Sequence, residues 1–573
     1  MAILRAVLIL TVFLLAALAA VATYLLPVAG LLFAALACAV AREGRHRSSA
    51  EFGTARWAAA ADIPHLLEGT GVILGHIPGR VGRWEGLTGL FDRRLPAERA
   101  VRAFLASLER NPPSRLVRLT DSVHVSVFAP TGAGKGVSII LPFLLASRES
   151  FLVVDVKGEL AHLTAAHRAA AFGQEVVRID PFGLATDTPA TFNPLDGIDP
   201  NDPESLDQAR AVAEAVVVQD VGARDPHWTQ KAATTIAGAI LAVVNFCPVG
   251  RRSLQEVAEI MADKALLGGA IRALKASPAH GGLLARIGSE MALAADRELD
   301  GILSTANRSL AFLGSPAVAL STKGTSTFDP SELGGPRGMT IYLILPAKYL
   351  RSHAGLLRLW VSALMRGVVD RGVRAARPVN VVLDEAAALG HLDVIDDMLT
   401  MGRGYGLKIL AVYQSLAQLR KVFPDGQDGV LLSNTTQVFF AANDKATADY
   451  VSDRLGEWTQ TLASGGSSRG SSRQESPQGS NAGSSWGTNA SWQLGGRRLL
   501  RPEEVVRLDP RVAVTFHRNL PPLATYLTRH YEENGNEPSG AGMFRVAADV
   551  AGLFVPALIL AALFAVGLVR HFK

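Results

Sequence analysis

Hydrophobic and polar residues follow a strand-like pattern in two stretches of the chain, 119–197 and 326–535. Val123, Val125 and Val127 alternate with polar neighbours, which predicts a half-buried strand. Short runs rich in β-branched residues predict further strands at 151–155, 175–180, 339–346, 379–384 and 409–414. Because helix-length stretches separate these runs, the pattern predicts an α/β fold.

A different pattern lies between these two stretches, from 198 to 325, where apolar residues recur every three or four positions. This spacing predicts helices at 206–218, 232–244 and 254–274. Since β-branched runs are missing there, the sequence predicts an all-alpha domain of about 130 residues, an ordinary domain size, inserted into the α/β domain.

Two uncharged, apolar runs stand at the start of the chain, at 6–25 and 28–41. About 20 apolar residues are enough to cross a bilayer. Arg42 and Arg45 follow the second run, and the positive-inside rule places such residues in the cytoplasm. Residues 1–45 are therefore predicted to form a transmembrane hairpin with both ends in the cytoplasm. A signal peptide is the competing interpretation, which the second apolar run disfavours.

A third uncharged run, 550–569, lies near the C-terminus. A helix of about 20 residues is about 30 Å long, so the segment 536–573 is predicted to contain a flexible tether and a transmembrane helix. A single crossing would place Arg570 and Lys573 outside, against the positive-inside bias. A shallow interfacial helix is therefore the alternative.

Two other segments have the composition of connectors. Residues 46–118 are rich in arginine and glycine, which predicts a basic juxtamembrane region in contact with anionic lipid, with a binding role as the equal alternative. Residues 464–496 are mostly serine, glycine and asparagine, which predicts a flexible loop.

Overall composition adds little to this organisation. The 573 residues are enough for about three or four domains. The net charge of +5 is small for this length and gives by itself no argument for nucleic acid. The two cysteines exclude a disulfide framework, which favours a reducing compartment.

The first predicted strand leads into a glycine-rich loop that ends in a lysine. Glycines there let backbone N–H groups turn towards a phosphate, and Lys135 adds a positive charge for the β- and γ-phosphates. The loop departs from the usual G-x-x-x-x-G-K-[ST] pattern at Ala129 and at Gly136, where a magnesium-binding hydroxyl is expected. A glycine-rich turn without a ligand is the alternative for the loop alone. The candidate nucleotide-binding residues are Thr131, Gly132, Ala133, Gly134, Lys135 and Gly136.

The next predicted strand ends in Asp155, and Lys157 follows in the turn. Ligands of open α/β sheets gather at the carboxyl ends of the strands, so both residues are candidate nucleotide-binding residues. Local capping of the turn by Asp155 and an ordinary surface position for Lys157 remain the alternatives.

Four more candidates belong to the second half of the α/β stretch. The predicted strand 379–384 ends in Asp384, suited to hold Mg²⁺ through water, and in Glu385, suited to polarise the attacking water. The next strand ends in Gln414, an amide suited to sense the γ-phosphate. Arg403 is expected as a cation near the same edge of the sheet.

Taken together, these motifs resemble the TraG/TraD-like coupling ATPases of type IV secretion systems, over about residues 52–531. The resemblance rests on Phe52-Gly-Thr-Ala-Arg-Trp57, the loop with its Gly-Lys-Gly ending, Asp155-x-Lys-Gly-Glu, Asp180-Pro-Phe, Asp225-Pro-x-Trp, Asp384-Glu-x-x-x-Leu-Gly390, Arg403-Gly-Tyr-Gly and Gln414. In that family the Gly-Lys-Gly variant is frequent, so Gly136 matches it, while the C-terminal apolar run departs from the usual pattern.

The resemblance implies a RecA-like P-loop motor domain that bears the all-alpha domain, an anchor in the bacterial inner membrane and a hexameric ring. It implies ATP and Mg²⁺ as cofactors and an Arg403 that reaches a nucleotide across the subunit interface. It also implies ATP-driven delivery of a relaxase–DNA complex, or of protein effectors, to a type IV secretion channel.

Three other functions use parts of the same sequence. A receptor for protein effectors would use the all-alpha domain for docking and pump little or no DNA. A non-catalytic scaffold is suggested by Ala129 and Gly136, but Lys135, Asp384 and Glu385 argue against it. A chromosome-segregation pump shares the motor chemistry but leaves the all-alpha insertion unexplained.

Overall fold

The computed structural model describes the backbone and side chains of most of the chain between residues 51 and 531. The described residues are 12, 51–67, 70–77, 115–120, 124–217, 227–372, 377–424, 426–476 and 479–531, with the backbone alone for 461–493. Apart from residue 12, the predicted membrane segments 1–45 and 536–573 lie outside these ranges. Within them, no helix is both long enough and apolar enough to span a bilayer.

The secondary structure alternates strands and helices, except for one long helical stretch. The strands are β1 Val72–Ile77, β2 Arg115–Leu119, β3 Val125–Phe128, β4 Ser150–Asp155, β5 Glu175–Ile179, β6 Met339–Ile344, β7 Val379–Leu383, β8 Leu407–Tyr413, β9 Thr436–Phe440, β10 Glu457–Ser476, β11 Gly479–Arg498, β12 Val512–Phe516 and β13 Leu523–Tyr526. The helices are α1 Leu141–Ala146, α2 Glu159–Phe172, α3 Ser205–Val216, α4 His227–Phe246, α5 Leu254–Ala262, α6 Lys264–Lys275, α7 Leu283–Met291, α8 Asp296–Leu310, α9 Pro316–Thr322, α10 Ala354–Asp370, α11 Asp393–Met401, α12 Leu416–Val422, α13 Asp428–Asn434, α14 Lys445–Leu455 and α15 Pro502–Val506.

Eleven of the described strands form one sheet, in the order β2-β1-β13-β12-β9-β3-β8-β7-β4-β6-β5. From β9 to β5 all neighbours are parallel. The strands β12, β13, β1 and β2 extend this parallel part by antiparallel pairing. The chain divides into two compact units, Met1–Leu527 and Thr528–Lys573, and the whole sheet lies in the first.

The parallel strands are buried because helices and loops cover both faces of the sheet. All residues of β4, β6 and β7 are buried, and their sequences are continuous apolar runs rather than alternating ones. One apolar core includes Leu152 and Val381, and the other includes Phe151 and Val382, so successive residues of a strand enter opposite cores. This buried sheet holds its strand ends in fixed positions.

The helices α3 to α9 fall between β5 and β6, and the described part of that stretch contains no strand. Helix α4 packs against α3, and Trp228 at its start lies over Gly301 of α8, where even a Cβ would come within 2.5 Å of the ring. Helix α3 in turn packs against α10, which follows β6. The buried residues of the helical stretch therefore share one apolar core with a face of the sheet, and α3 is one of the contacts between the two parts.

Part of the region 46–118 belongs to the sheet, unlike the connector that its composition predicts. Strand β1 reads Val-Ile-Leu-Gly-His-Ile, and its first four residues are buried between β2 and β13. The apolar sequence of β1 explains its place in the sheet. The arginine and glycine content averaged over residues 46–118 does not reveal this short apolar run.

The flexible loop predicted for 464–496 is instead a hairpin. Strands β10 and β11 pair in unbroken antiparallel register from Glu457 and Arg498 to Ser476 and Gly479. Ladder hydrogen bonds come from the backbone, so small polar residues can form them without an apolar face. At about 3.3 Å per residue, each strand is about 66 Å long.

The string Phe52-Gly-Thr-Ala-Arg-Trp57 packs against the base of this hairpin. Thr54 pairs with Trp458, and the amide of Ala55 donates to the carbonyl of Glu457 at 3.0 Å. Gly53 has a φ of 140°, and a Cβ there would lie 2.2 Å from the same carbonyl oxygen. The glycine in this string is therefore required by the close approach of two backbones.

Candidate functional site

The glycine-rich loop joins β3 to the following helix at the carboxyl edge of the parallel strands. Gly132 and Gly134 have φ values of 82° and 93°, in the left-handed region that favours glycine. Thr131 and Gly132 are exposed, while β3 before the loop is buried. The loop is tied to the neighbouring strand by the amide of Ala129, which donates to the carbonyl of Tyr413 at 3.1 Å. An open turn thus stands on a rigid base.

The helix after the loop begins with a π-helical turn, Gly136–Ile140, and continues as α1. Pro142 has no N–H to donate to the carbonyl one α-turn earlier, and the chain uses the wider turn just before it. Lys135 is the residue that precedes this turn, so it leaves the loop where the helix starts. An ideal Cβ on Gly136 would meet no atom within 4 Å, so the missing hydroxyl leaves open space.

Sheet order brings the predicted site residues together. Strand β8 lies between β3 and β7, and β4 is the next strand after β7. Because these strands are parallel, the loop after β3, Gln414 after β8, Asp384 after β7 and Asp155 on β4 share one edge. The structure therefore assembles residues from four separate parts of the sequence.

Asp384 is the carboxylate with the most perturbed environment at this edge. Burial raises its pKa to about 6, and the charges of neighbouring groups act on it as well. Two neighbouring cations lower the pKa of Asp384 and two neighbouring carboxylates raise it, namely Lys135 and Lys157, and Asp155 and Glu385. A half-buried carboxylate that lies beside two further carboxylates is a suitable place for a cation, because the cation relieves their mutual repulsion.

Glu385 is held by two side-chain amides. Gln414 donates from Nε2 to the Oε1 and Oε2 atoms of Glu385, at 3.2 and 3.4 Å. Gln418, on α12, donates from Nε2 to Oε1 of Glu385 at 2.9 Å. Sequence reasoning missed Gln418, although its spacing of four residues from Gln414 across a helix start was a usable signal.

Both carboxylate oxygens of Asp155 accept backbone hydrogen bonds. Its Oδ1 accepts from the amide of Lys157 at 3.2 Å, and its Oδ2 accepts from the amide of Ala161 at 2.9 Å. Asp155 therefore caps the turn and the start of α2, as the alternative interpretation predicts, and its role in nucleotide binding stays a prediction. Lys157 is exposed beside this turn.

Arg403 does not lie at the edge where the sequence placed it. It belongs to the short helix Gly402–Tyr405, immediately before β8, whereas Gln414 immediately follows β8. A strand of this length spans about 23 Å. Gly402 approaches His124, which precedes β3, so Arg403 is at the amino edge of the sheet. The expectation failed because residues on the two sides of one strand lie at opposite edges.

Together, the loop with its lysine and the carboxylates two strands away define an α/β protein built to bind phosphate at one edge of its sheet. The chain belongs to the family described as Type IV secretory system Conjugative DNA transfer, whose model matches residues 106–547. The resemblance drawn from the motifs is thereby confirmed.

Individual relatives agree with this family. Conjugal transfer protein TraG of Rhizobium radiobacter is 28% identical over 418 residues, which is 70% of this chain and 61% of that protein. Protein VirD4 of Agrobacterium fabrum is 27% identical over 495 residues, which is 85% of this chain and 67% of that protein. The chain thus spans about three fifths of the TraG protein's length.

Solved structures share the fold. Plasmid coupling protein TrwB in complex with a non-hydrolysable ATP analogue has a TM-score of 0.52 at 19% identity, over 71% of this chain and 85% of that one. TrwB in complex with ADP and Mg²⁺ has a TM-score of 0.51 at 18% identity, with the same coverage. The α/β class predicted from the sequence is confirmed, with a large parallel sheet.

Proposed function

We propose that this protein is a membrane-anchored coupling ATPase that recruits a relaxase–DNA complex and drives its transfer into a type IV secretion channel. The observation that carries the proposal is the meeting of Lys135, Asp384 and the amide-held Glu385 at one sheet edge, in a chain of this family. TrwB, which shares the fold, was solved with an ATP analogue and with ADP and Mg²⁺.

The residues at the edge fit a magnesium–nucleotide. The amides of the loop 131–136 and the charge of Lys135 would hold the β- and γ-phosphates. In the described part of the chain, no group of three or more His, Cys, Asp or Glu residues could hold a metal alone. Mg²⁺ typically takes one or two carboxylates together with phosphate oxygens and water, so Asp384 suffices, through water. Bound Mg²⁺ would neutralise phosphate charge.

Glu385 and Gln414 would act on the attacking water and the γ-phosphate. The Oε1 of Glu385 accepts both amides at 2.9 and 3.2 Å, whereas Oε2 has only the longer contact of 3.4 Å. Oε2 is therefore the oxygen that would accept a hydrogen bond from water and take its proton as the phosphate is attacked. Gln414 would move with Glu385 and report whether a γ-phosphate is present.

Arg403 would contribute only in an oligomer, because its edge lies about 23 Å from Gln414 along β8. In a hexameric ring, an arginine at the amino edge of one subunit can reach the nucleotide of the next. Co-assembly of Arg403→Ala with Lys135→Ala subunits should then restore part of the ATPase activity, and absence of any recovery in proven mixed oligomers would contradict a role in trans.

The chain would be located in the bacterial inner membrane, anchored by segments 1–45 and 536–573, with the motor in the cytoplasm. Its partners would be DNA with a relaxase, the channel and further copies of itself. The second candidate is a receptor for protein effectors that pumps little or no DNA, because the modest net charge of +5 gives by itself no argument for nucleic acid.

ATPase assays on the purified full chain test the proposal. Lys135→Ala should lose turnover, while Lys421→Ala, an exposed lysine of α12, should retain it. DNA should stimulate the wild type at low salt, and the effect should fall steeply as salt is added. Equal turnover by Lys135→Ala would contradict the ATPase, and stimulation by an effector protein but not by DNA would favour the receptor.

A further inference from the structure

Gln418 is a half-buried residue of α12 that links the ends of two strands. Its Nε2 donates to Oε1 of Glu385, which follows β7, at 2.9 Å. Its Oε1 accepts from the backbone amide of Gln414, which follows β8, at 2.6 Å. One side-chain amide therefore connects both residues proposed to act on the water and the γ-phosphate.

Both hydrogen bonds of Gln418 have only one possible direction. A backbone N–H can only donate, so the side-chain atom that faces Gln414 must be an oxygen. An ionised carboxylate can only accept, so the atom that faces Glu385 must be a donor. Glutamate would supply the first atom but not the second, and methionine would supply neither. The site thus requires an amide at residue 418.

The helix that carries Gln418 is itself fixed at its start. The Oγ of Ser415 caps α12 by accepting from the backbone amide of Gln418 at 3.2 Å. The hydroxyl of Thr447, near the start of α14, accepts from the amide of Leu416 at 3.2 Å. Because the backbone around residue 418 is held at two points, its side chain is a fixed support rather than a mobile surface group.

We infer that Gln418 is a positioning residue for ATP hydrolysis, which holds Glu385 and Gln414 in one fixed relation. This inference rests on the proposed function. By occupying Oε1 of Glu385, the amide of Gln418 leaves Oε2 for the attacking water. Displacement of a reacting group by about 1 Å costs on the order of 10²-fold in rate, so loss of this support reduces turnover much more than nucleotide binding.

Steady-state ATP turnover by the purified full chain tests this role, with kcat and KM measured separately. Gln418→Met keeps the length of the side chain but removes both hydrogen bonds, and we expect kcat to fall about 10- to 100-fold, with KM within about threefold. Gln418→Glu keeps the acceptor for Gln414 but opposes Glu385, so its kcat should fall at least as far. Lys421→Met, an exposed change on the same helix, is the matched control and should retain kcat.

The alternatives give different results. Wild-type kcat in both Gln418 variants would overturn the positioning role. A lower kcat together with a raised KM and a lowered melting temperature in both variants would also overturn it, because that combination indicates a structural role only. Glu385→Gln is measured in parallel. If it retains wild-type turnover, the proposed function itself fails. If it is inactive while Gln418→Met and Gln418→Glu match the wild type, only the positioning role fails.

Discussion

Two neighbouring strands, β4 and β7, lead into carboxylates that have different surroundings, Asp155 and Asp384. Both oxygens of Asp155 accept hydrogen bonds from backbone amides, and the residue is only 1% exposed, whereas Asp384 is half-buried. Asp384 lies one strand away, and the charges of Lys135 and Lys157 act on it. Burial raises the pKa of both carboxyls, but only Asp155 has backbone amides that offset this effect.

The chain that follows each strand explains the difference. After β4, Gly158 takes a φ of 71° and turns the chain at once into α2, so free helix amides face Asp155. After β7, the chain forms only the short helix Ala386–Leu389 and then turns at Gly390, with a φ of 64°. Backbone amides lower the pKa of Asp155, whereas none acts on the pKa of Asp384. A strand-end carboxylate that accepts backbone amides is a cap, and one that does not is available to a cation.

The largest expected effect is on Asp384. Asp384→Asn should lower kcat by about 10²-fold or more, because the charge that holds Mg²⁺ is lost and metal stabilisation of the transition state amounts to several kcal/mol. Its melting temperature should not fall, since the substitution removes the charge of a half-buried carboxyl whose pKa burial raises. Turnover and thermal melting of the purified variant check both statements. Unchanged turnover would contradict the assignment of Asp384 as a magnesium ligand and thus its difference from Asp155.

Asp155→Asn should show the reverse pattern. The amide can accept one of the two backbone N–H groups but not both, so unfolding free energy should fall by about 1–3 kcal/mol. Turnover per folded molecule should stay within about threefold of wild type. Chemical denaturation and ATPase assays on the same preparation measure the two quantities. A variant of full stability without turnover would assign Asp155 to the chemistry instead.

The pH dependence of magnesium binding sharpens the contrast. Asp384 must be ionised to attract Mg²⁺, and its pKa is raised to about 6, so the carboxylate is charged above this pH and becomes neutral below it. As pH falls below about 6, the affinity for Mg²⁺–nucleotide should decrease up to about tenfold per pH unit. Calorimetric titration of wild type and Asp384→Asn separates this effect from protonation of the nucleotide, which both share. Identical pH profiles would contradict the assignment.

The smallest expected effect is a gain at Gly136. A side chain there meets open space, and the backbone is helical, so Gly136→Ser should fold normally. The hydroxyl would supply the ligand that the usual loop carries, and Mg²⁺ affinity should rise a few-fold. Gly136→Ala is the control without the hydroxyl. If serine and alanine behave alike, the open space is not next to the metal.

The sequence predicts most of the strands of the parallel sheet but not the side-chain hydrogen bonds at the candidate site. Apolar runs mark β4, β6 and β7 because buried parallel strands need them, and strand direction then brings the loop and the carboxylates to one edge. The sequence offers the capping by Asp155 only as an alternative and does not predict the support from Gln418, since both depend on which amides face a side chain. The expectation for Arg403 is wrong because Arg403 precedes β8 and Gln414 follows it, so the two residues lie at opposite edges of the sheet. The hairpin β10–β11 was missed because composition does not report backbone pairing.

The central claim is that Glu385 activates water at a site that binds ATP independently of it. Glu385→Gln keeps the shape of the side chain and removes the base, so the most direct measurement is ATP affinity and ATP turnover of this variant beside the wild type. We expect an ATP dissociation constant within about threefold of wild type and a turnover at least about 10²-fold lower, the range of general base catalysis. Hydrolysis at the wild-type rate by a variant that binds ATP normally would contradict it.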